Sequence, residues 1–131
     1  MTAMKGTQER SRGLVLVVDD RAESRDLYDR VLGAAGYSVI SADSLEQALA
    51  IAGAIAFDLV IIDVDRPGMD GFELAQRLHA QGRRRPRLLA ITGHPPEDTS
   101  TETVLFDAYL ITPCPPEKLI AVVTDLLTKR G

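Results

Sequence analysis

The sequence predicts an α/β domain, a doubly wound five-stranded parallel sheet with helices on both faces. Two observations carry that prediction. Short β-branched apolar runs recur along the chain without polar alternation, as strands covered on both faces require. Between them lie segments whose apolar residues return every three or four positions, the period of a helix resting on a sheet. Size agrees: 131 residues make one domain, 45% hydrophobic and 26% charged. Such a chain buries about two-thirds of its surface on folding and needs no disulfide or metal staple.

The elements follow in order. Residues 1–13 are polar, with Lys5, Arg10 and Arg12, and are expected to form a flexible lead-in to a domain over 14–131. The first strand is Leu14-Val15-Leu16-Val17-Val18. Leu27, Tyr28, Val31, Leu32 and Ala35 then mark a helix closing at Gly36. Tyr37-Ser38-Val39-Ile40 is the most polar of the runs and is expected at a sheet edge. Ser44 is the N-cap expected for Leu45, Ala48, Leu49, Ala52 and Ile55, with Gln47 at the capping-box position. Leu59-Val60-Ile61-Ile62 is the third strand, and Phe72, Ala75 and Leu78 a helix ending near Gly82. Leu88-Leu89-Ala90-Ile91 is the fourth strand. A fourth helix is expected over 95–106, although its Thr and Ser residues are poor helix formers. Ala108-Tyr109-Leu110-Ile111 is the fifth strand, and Leu119, Val122, Val123, Leu126 and Leu127 mark the last helix. Five βα units with right-handed crossovers give the order 2-1-3-4-5, the flavodoxin-like (βα)5 arrangement.

Composition narrows the function classes. A net charge of −4 argues against a domain built to coat nucleic acid or an anionic membrane. The single Cys114 excludes an internal disulfide framework and suits a reducing, cytoplasmic location. Leu14–Val18 is too short to span a membrane, and residues 1–13 lack the apolar stretch of a signal peptide.

Ligand sites of such sheets lie beyond the carboxyl ends of the strands. There the sequence places Asp19-Asp20 after the first strand and Asp63-Val64-Asp65 after the third. Thr92-Gly93-His94 follows the fourth strand and Thr112-Pro113 the fifth. The first and third strands are neighbours in the predicted order, so their acids share one crevice. Like charges at ~4 Å cost about 4 kcal/mol per pair at an effective dielectric of 20, which calls for a cation. Oxygen donors alone suit Mg2+. Taken singly, the Asp19-Asp20 pair also reads as a helix cap with a first-turn acid, and Asp63 and Asp65 as turn formers before Pro67-Gly68.

Leu16-Val17-Val18-Asp19-Asp20, the stretch from Ile62 through Asp63-Val64-Asp65-Arg66-Pro67-Gly68-Met69-Asp70 to Gly71, Ile91-Thr92-Gly93 and the stretch from Phe106 to Pro113 together resemble the receiver domain of two-component response regulators. The resemblance spans 14–129. It implies that Asp63 is the phosphoacceptor, a carboxylate nucleophile forming an acyl phosphate. It further implies Mg2+ held by Asp20 directly, by Asp19 through water, by Asp63 and by the backbone carbonyl of Asp65. Thr92 is then the switch hydroxyl, and Tyr109 an aromatic that changes rotamer with it. Implied partners are a histidine kinase or histidine phosphotransfer protein and a downstream protein. The face formed by the fourth strand and helix, the fifth strand and the last helix would meet them, and a homodimer through it fits the resemblance too. No nucleic acid is expected for the domain itself, and no membrane. The expected class is a signalling module that assists its own phosphotransfer, not a conventional enzyme. His94 falls at the site's rim or on a surface loop, and Arg83, Arg84, Arg85 and Arg87 read as a solvated turn.

The sequence departs from the family in three places. The family's lysine before the proline of the fifth strand is Thr112 here, so one charge-assisted hydrogen bond to a phosphoryl group is missing. The Thr112–Pro113 peptide is expected cis, as in the family. Arg66 stands three residues after Asp63, where it either replaces the missing cation or points to Asp70 or solvent. Asp65 adds a negative charge beside the site. Expected consequences are Mg2+ binding at least as tight as in lysine-bearing relatives and weaker coupling from phosphate to the output face. The runner-up is a degenerate receiver working without phosphate. Asp63-Val64-Asp65 also looks like the Asp-x-Asp of haloacid-dehalogenase phosphatases, but that motif belongs on a first strand.

Overall fold

Alternation along each strand divides the core in two, as a sheet covered on both faces demands. The computed structural model describes residues 11–65, 70–80, 85–93 and 105–128. Its strands are β1 (Leu14–Val18), β2 (Ser38–Ala42), β3 (Leu59–Asp63), β4 (Arg87–Thr92) and β5 (Ala108–Ile111). The described helices are α1 (Ala22–Ala34), α2 (Leu45–Ala54), α3 (Gly71–His79) and α4 (Pro116–Thr128). All strand pairs are parallel, in the order β2-β1-β3-β4-β5. Leu16, Val18, Val60, Ile62, Leu88 and Ala90 pack with Ala48, Leu74 and Leu78 of α2 and α3 on one face. Val15, Val17, Leu59, Ile61, Leu89 and Ile91 pack with Leu32, Leu119 and Val123 of α1 and α4 on the other.

The predicted polar run is an edge: β2 pairs only with β1. Ser44 caps α2, its hydroxyl accepting from the Gln47 N–H at 3.1 Å. The Gln47 side chain reaches back one residue further than a standard capping box, accepting from the Asp43 N–H at 2.6 Å. Gly36 ends α1 with φ +102°, a conformation glycine adopts without steric cost. Arg12 and Gly13, expected within the lead-in, are hydrogen bonded to the α1–β2 connection: Arg12 N–H to Gly36 O and Ser38 N–H to Gly13 O, both 2.9 Å. The helix expected over 95–106 lies outside the described residues except for Leu105 and Phe106, just before β5. No described helix is long and apolar enough to cross a membrane.

Candidate functional site

Parallel strands end on one side, so the residues following β1, β3, β4 and β5 gather at a single edge of the sheet. Register fixes who stands beside whom. Val18 pairs with Ile62, which puts Asp19 and Asp63 at the next position of adjacent strands, ~4.8 Å apart in such a sheet. Asp63 pairs with Ile91, and Thr92 follows it; Thr92 pairs with Ile111, and Thr112 follows that. Asp19, Asp63 and Thr92 are the buried polar residues among those described, at 1%, 8% and 5% exposure. Asp20 is exposed. Register thus brings Asp19, Asp63 and Thr92 to neighbouring positions at one edge of the sheet.

Each side chain has a local anchor. The Asp19 carboxylate accepts from the Arg21 N–H at 2.9 Å, and its carbonyl accepts from the Arg25 guanidinium at 2.8 Å. The capping alternative for this pair is not realised: the N-cap of α1 is Arg21, without a side-chain cap, the first-turn acid is Glu23, and the Asp19 bond closes a turn just before the helix. Asp63 Oδ1 accepts from the Asp65 N–H at 3.0 Å, tightening the turn after β3. The Asp65 side chain turns toward β4. It accepts from the Thr92 hydroxyl at 3.0 and 3.2 Å and from the Gly93 N–H at 2.6 Å. Thr112 is tied to β4 as well: its N–H donates to Thr92 O at 2.9 Å and its hydroxyl approaches the same oxygen at 3.4 Å. The Thr112–Pro113 peptide is cis, as expected. Beside Asp63 a groove of about 260 Å3 opens between Tyr28 and Val31 of α1 and Leu110, Thr112 and Pro113.

Tyr109 is half-buried on the α2/α3 face, edge-on to Phe106 at 5.5 Å, and Phe106 meets Phe72 at 5.7 Å. Arg66 and His94 lie outside the described residues, as do Arg83 and Arg84. Arg85 bonds His79 at 2.6 Å and Arg87 lies 3.7 Å from Asp107, both away from the crevice. The direction of the Asp65 carboxylate is the feature sequence reasoning missed. No local signal encodes it, because its partners come from a strand 27 residues later.

The donors at these strand ends are carboxylate and carbonyl oxygens, the set a hydrated Mg2+ takes. Among the described residues no three His, Cys, Asp or Glu side chains form a ready-made metal cage. A hydrated ion needs only one or two carboxylates, with waters and a substrate oxygen completing its shell, so the residues fit it. Asp63-Val64-Asp65 closes β3 in the middle of the sheet, not a first strand, which removes the basis for the phosphatase comparison.

A model of the response regulator receiver domain family matches residues 15–124. The transcriptional regulatory protein FixJ of Bradyrhizobium diazoefficiens is 32% identical over 119 residues, covering 89% of this chain and 58% of FixJ. The chain thus spans little more than half of that relative. The chemotaxis response regulator CheY4 of Vibrio cholerae superimposes with a TM-score of 0.79 at 31% identity, covering 87% of this chain and 98% of CheY4. The response regulator TrrA of Thermotoga maritima, solved with Mg2+ and BeF, gives 0.78 at 27% identity over 87% and 98% of the two chains. The same regulator has been solved with the histidine kinase ThkA (TM-score 0.76, 27% identity, 87% of this chain and 97% of the matched one).

Proposed function

This chain belongs to the response regulator receiver domain family, and we propose that it accepts a phosphoryl group on Asp63 and passes the signal through Thr92 and Tyr109. The observation that carries the proposal is the register. It sets the buried Asp63 between the acids after β1 and the buried Thr92 after β4. The donor is the phosphohistidine of a kinase or phosphotransfer protein, a reading supported by the solved complex of TrrA with ThkA. A carboxylate oxygen of Asp63 attacks phosphorus, the P–O bond forms as the P–N bond breaks, and the imidazole leaves with the electron pair. Mg2+, when bound, neutralises charge on the transferring phosphoryl oxygens. Asp19, Asp20, Asp63 and the Asp65 carbonyl are the donors proposed to hold it. The Asp65 N–H fixes the Asp63 carboxylate through Oδ1. Thr92 offers its hydroxyl to the transferred group, and Tyr109, packed on Phe106, reports the change on the β4–β5 side.

Thr112 favours a second reading, in which the domain serves a partner without phosphate. Its short hydroxyl is 3.4 Å from Thr92 O, so β5 supplies no cation at that position. One experiment separates the two. Incubation with a small-molecule phosphodonor and Mg2+, read by intact mass, adds one phosphoryl group to wild type and none to Asp63→Asn. No mass gain in wild type, with gain restored in Thr112→Lys, establishes the degenerate reading.

A further inference from the structure

The Asp65 carboxylate satisfies the hydroxyl of Thr92 through both its oxygens and the Gly93 N–H through Oδ2, at 3.0, 3.2 and 2.6 Å. A hydroxyl and an adjacent backbone N–H at the end of β4, beside Asp63, form a small anion-binding pair. To such donors a carboxylate and a phosphoryl group offer the same thing, anionic oxygens that accept charge-assisted hydrogen bonds. Two anions cannot share one pair of donors at full strength.

We infer that Asp65 is a built-in stand-in for the phosphoryl group. Its carboxylate holds Thr92 and Gly93 in the unphosphorylated chain and keeps the end of β4 drawn toward the β3 turn before any phosphate arrives. The inference deepens the phosphoacceptor reading by naming Asp65 as the competitor that an Asp63 phosphoryl group must displace, and for that competition alone it rests on that reading. The exchange trades one anion for another, so phosphorylation moves the β4 end less than it would without Asp65, and the signal passed through Thr92 to the output face is weakened. Thr112 adds to the effect, because it ties β5 to the carbonyl of the same Thr92 and brings no cation to tip the exchange toward phosphate.

The test follows the Gly93 amide by NMR in wild type, Asp65→Asn and Asp65→Ala, first without metal or phosphodonor. The amide is expected to exchange at least tenfold more slowly in wild type than in Asp65→Ala, with Asp65→Asn between them. Titration with Mg2+ and fluoroberyllate, the phosphoryl mimic, then shifts the Gly93 and Thr92 signals slightly in wild type and several-fold more in Asp65→Ala. Its apparent affinity is tightened about tenfold by either substitution. Equal Gly93 exchange in the three proteins overturns the clamp, as does a wild-type shift as large as that of Asp65→Ala. If no variant responds to fluoroberyllate, the phosphoacceptor reading fails and the competition with it. The clamp itself is still decided by the exchange rates, and Asp65→Asn guards against misfolding of the alanine variant.

Discussion

At the end of β5 a threonine stands where receiver relatives carry lysine, and the loss is more than one charge. Thr112 lacks the reach to leave its own strand pair, and its hydroxyl settles near Thr92 O instead. The groove of about 260 Å3 beside Asp63 has room for a longer side chain entering from this position. A lysine there would place an ammonium, a point cation with three donors, next to Asp63. Hydrogen bonds to charged groups contribute about 1.5–3 kcal/mol. Thr112→Lys is therefore expected to tighten binding of Mg2+ with fluoroberyllate by about tenfold or more. Isothermal titration calorimetry on both proteins measures it, and unchanged affinity would mean that the introduced lysine points away from the crevice.

Helix α3 shows how an element is delivered to the site, and how much of it the sequence announces. Asp70 caps it, accepting from the Phe72 and Glu73 N–H groups at 3.1 and 3.0 Å. Gly71 begins it against the sheet: an added Cβ would lie 2.9 Å from Ile62 Cγ2 and 3.0 Å from Val64 Cγ1. Gly71→Ala is expected to cost about 1–3 kcal/mol through overpacking. Asp70→Ala is expected to cost ~1 kcal/mol through the lost cap. Urea unfolding of the two variants checks both, and a neutral Gly71→Ala would show that β3 and α3 can slide apart. The strands were legible because Leu14–Val18 and Leu59–Ile62 are short, unbroken, β-branched apolar runs, the pattern of strands covered on both faces. Helix faces were less so. Leu27 looks like part of the α1 core stripe yet is 48% exposed, while Leu32 is buried. Five residues at about 100° each place the two some 140° apart around the helix, so they cannot share a face. At the candidate site, the places of Asp19, Asp20, Asp63 and Thr92 at strand ends could be read from the sequence. The aim of the Asp65 carboxylate could not, because a rotamer answers to contacts from β4 that no local pattern records.

For the molecule as a whole, folding concentrates charge. Asp19, Asp20, Asp63 and Asp65 follow two neighbouring central strands in a chain of net charge −4, and the unfolded chain relieves that crowding. Stability of the entire sheet is then linked to any cation that binds the folded crevice alone. With a dissociation constant of about 1 mM, Mg2+ at ~10 mM adds roughly 1.4 kcal/mol, or about 5 °C in Tm for a domain of this size. Asp63→Asn should melt at or above wild type in EDTA, since it removes one of the crowded charges, and should lose most of the Mg2+ gain. Asp125→Asn, an exposed acid on α4, should keep the gain in full. Calorimetric scans of the three proteins with EDTA and with Mg2+ make the comparison. If Asp63→Asn gains as much as wild type, the ion is bound elsewhere. If Asp125→Asn loses the gain with it, general screening of the acidic surface and not a crevice site is what stabilises the fold.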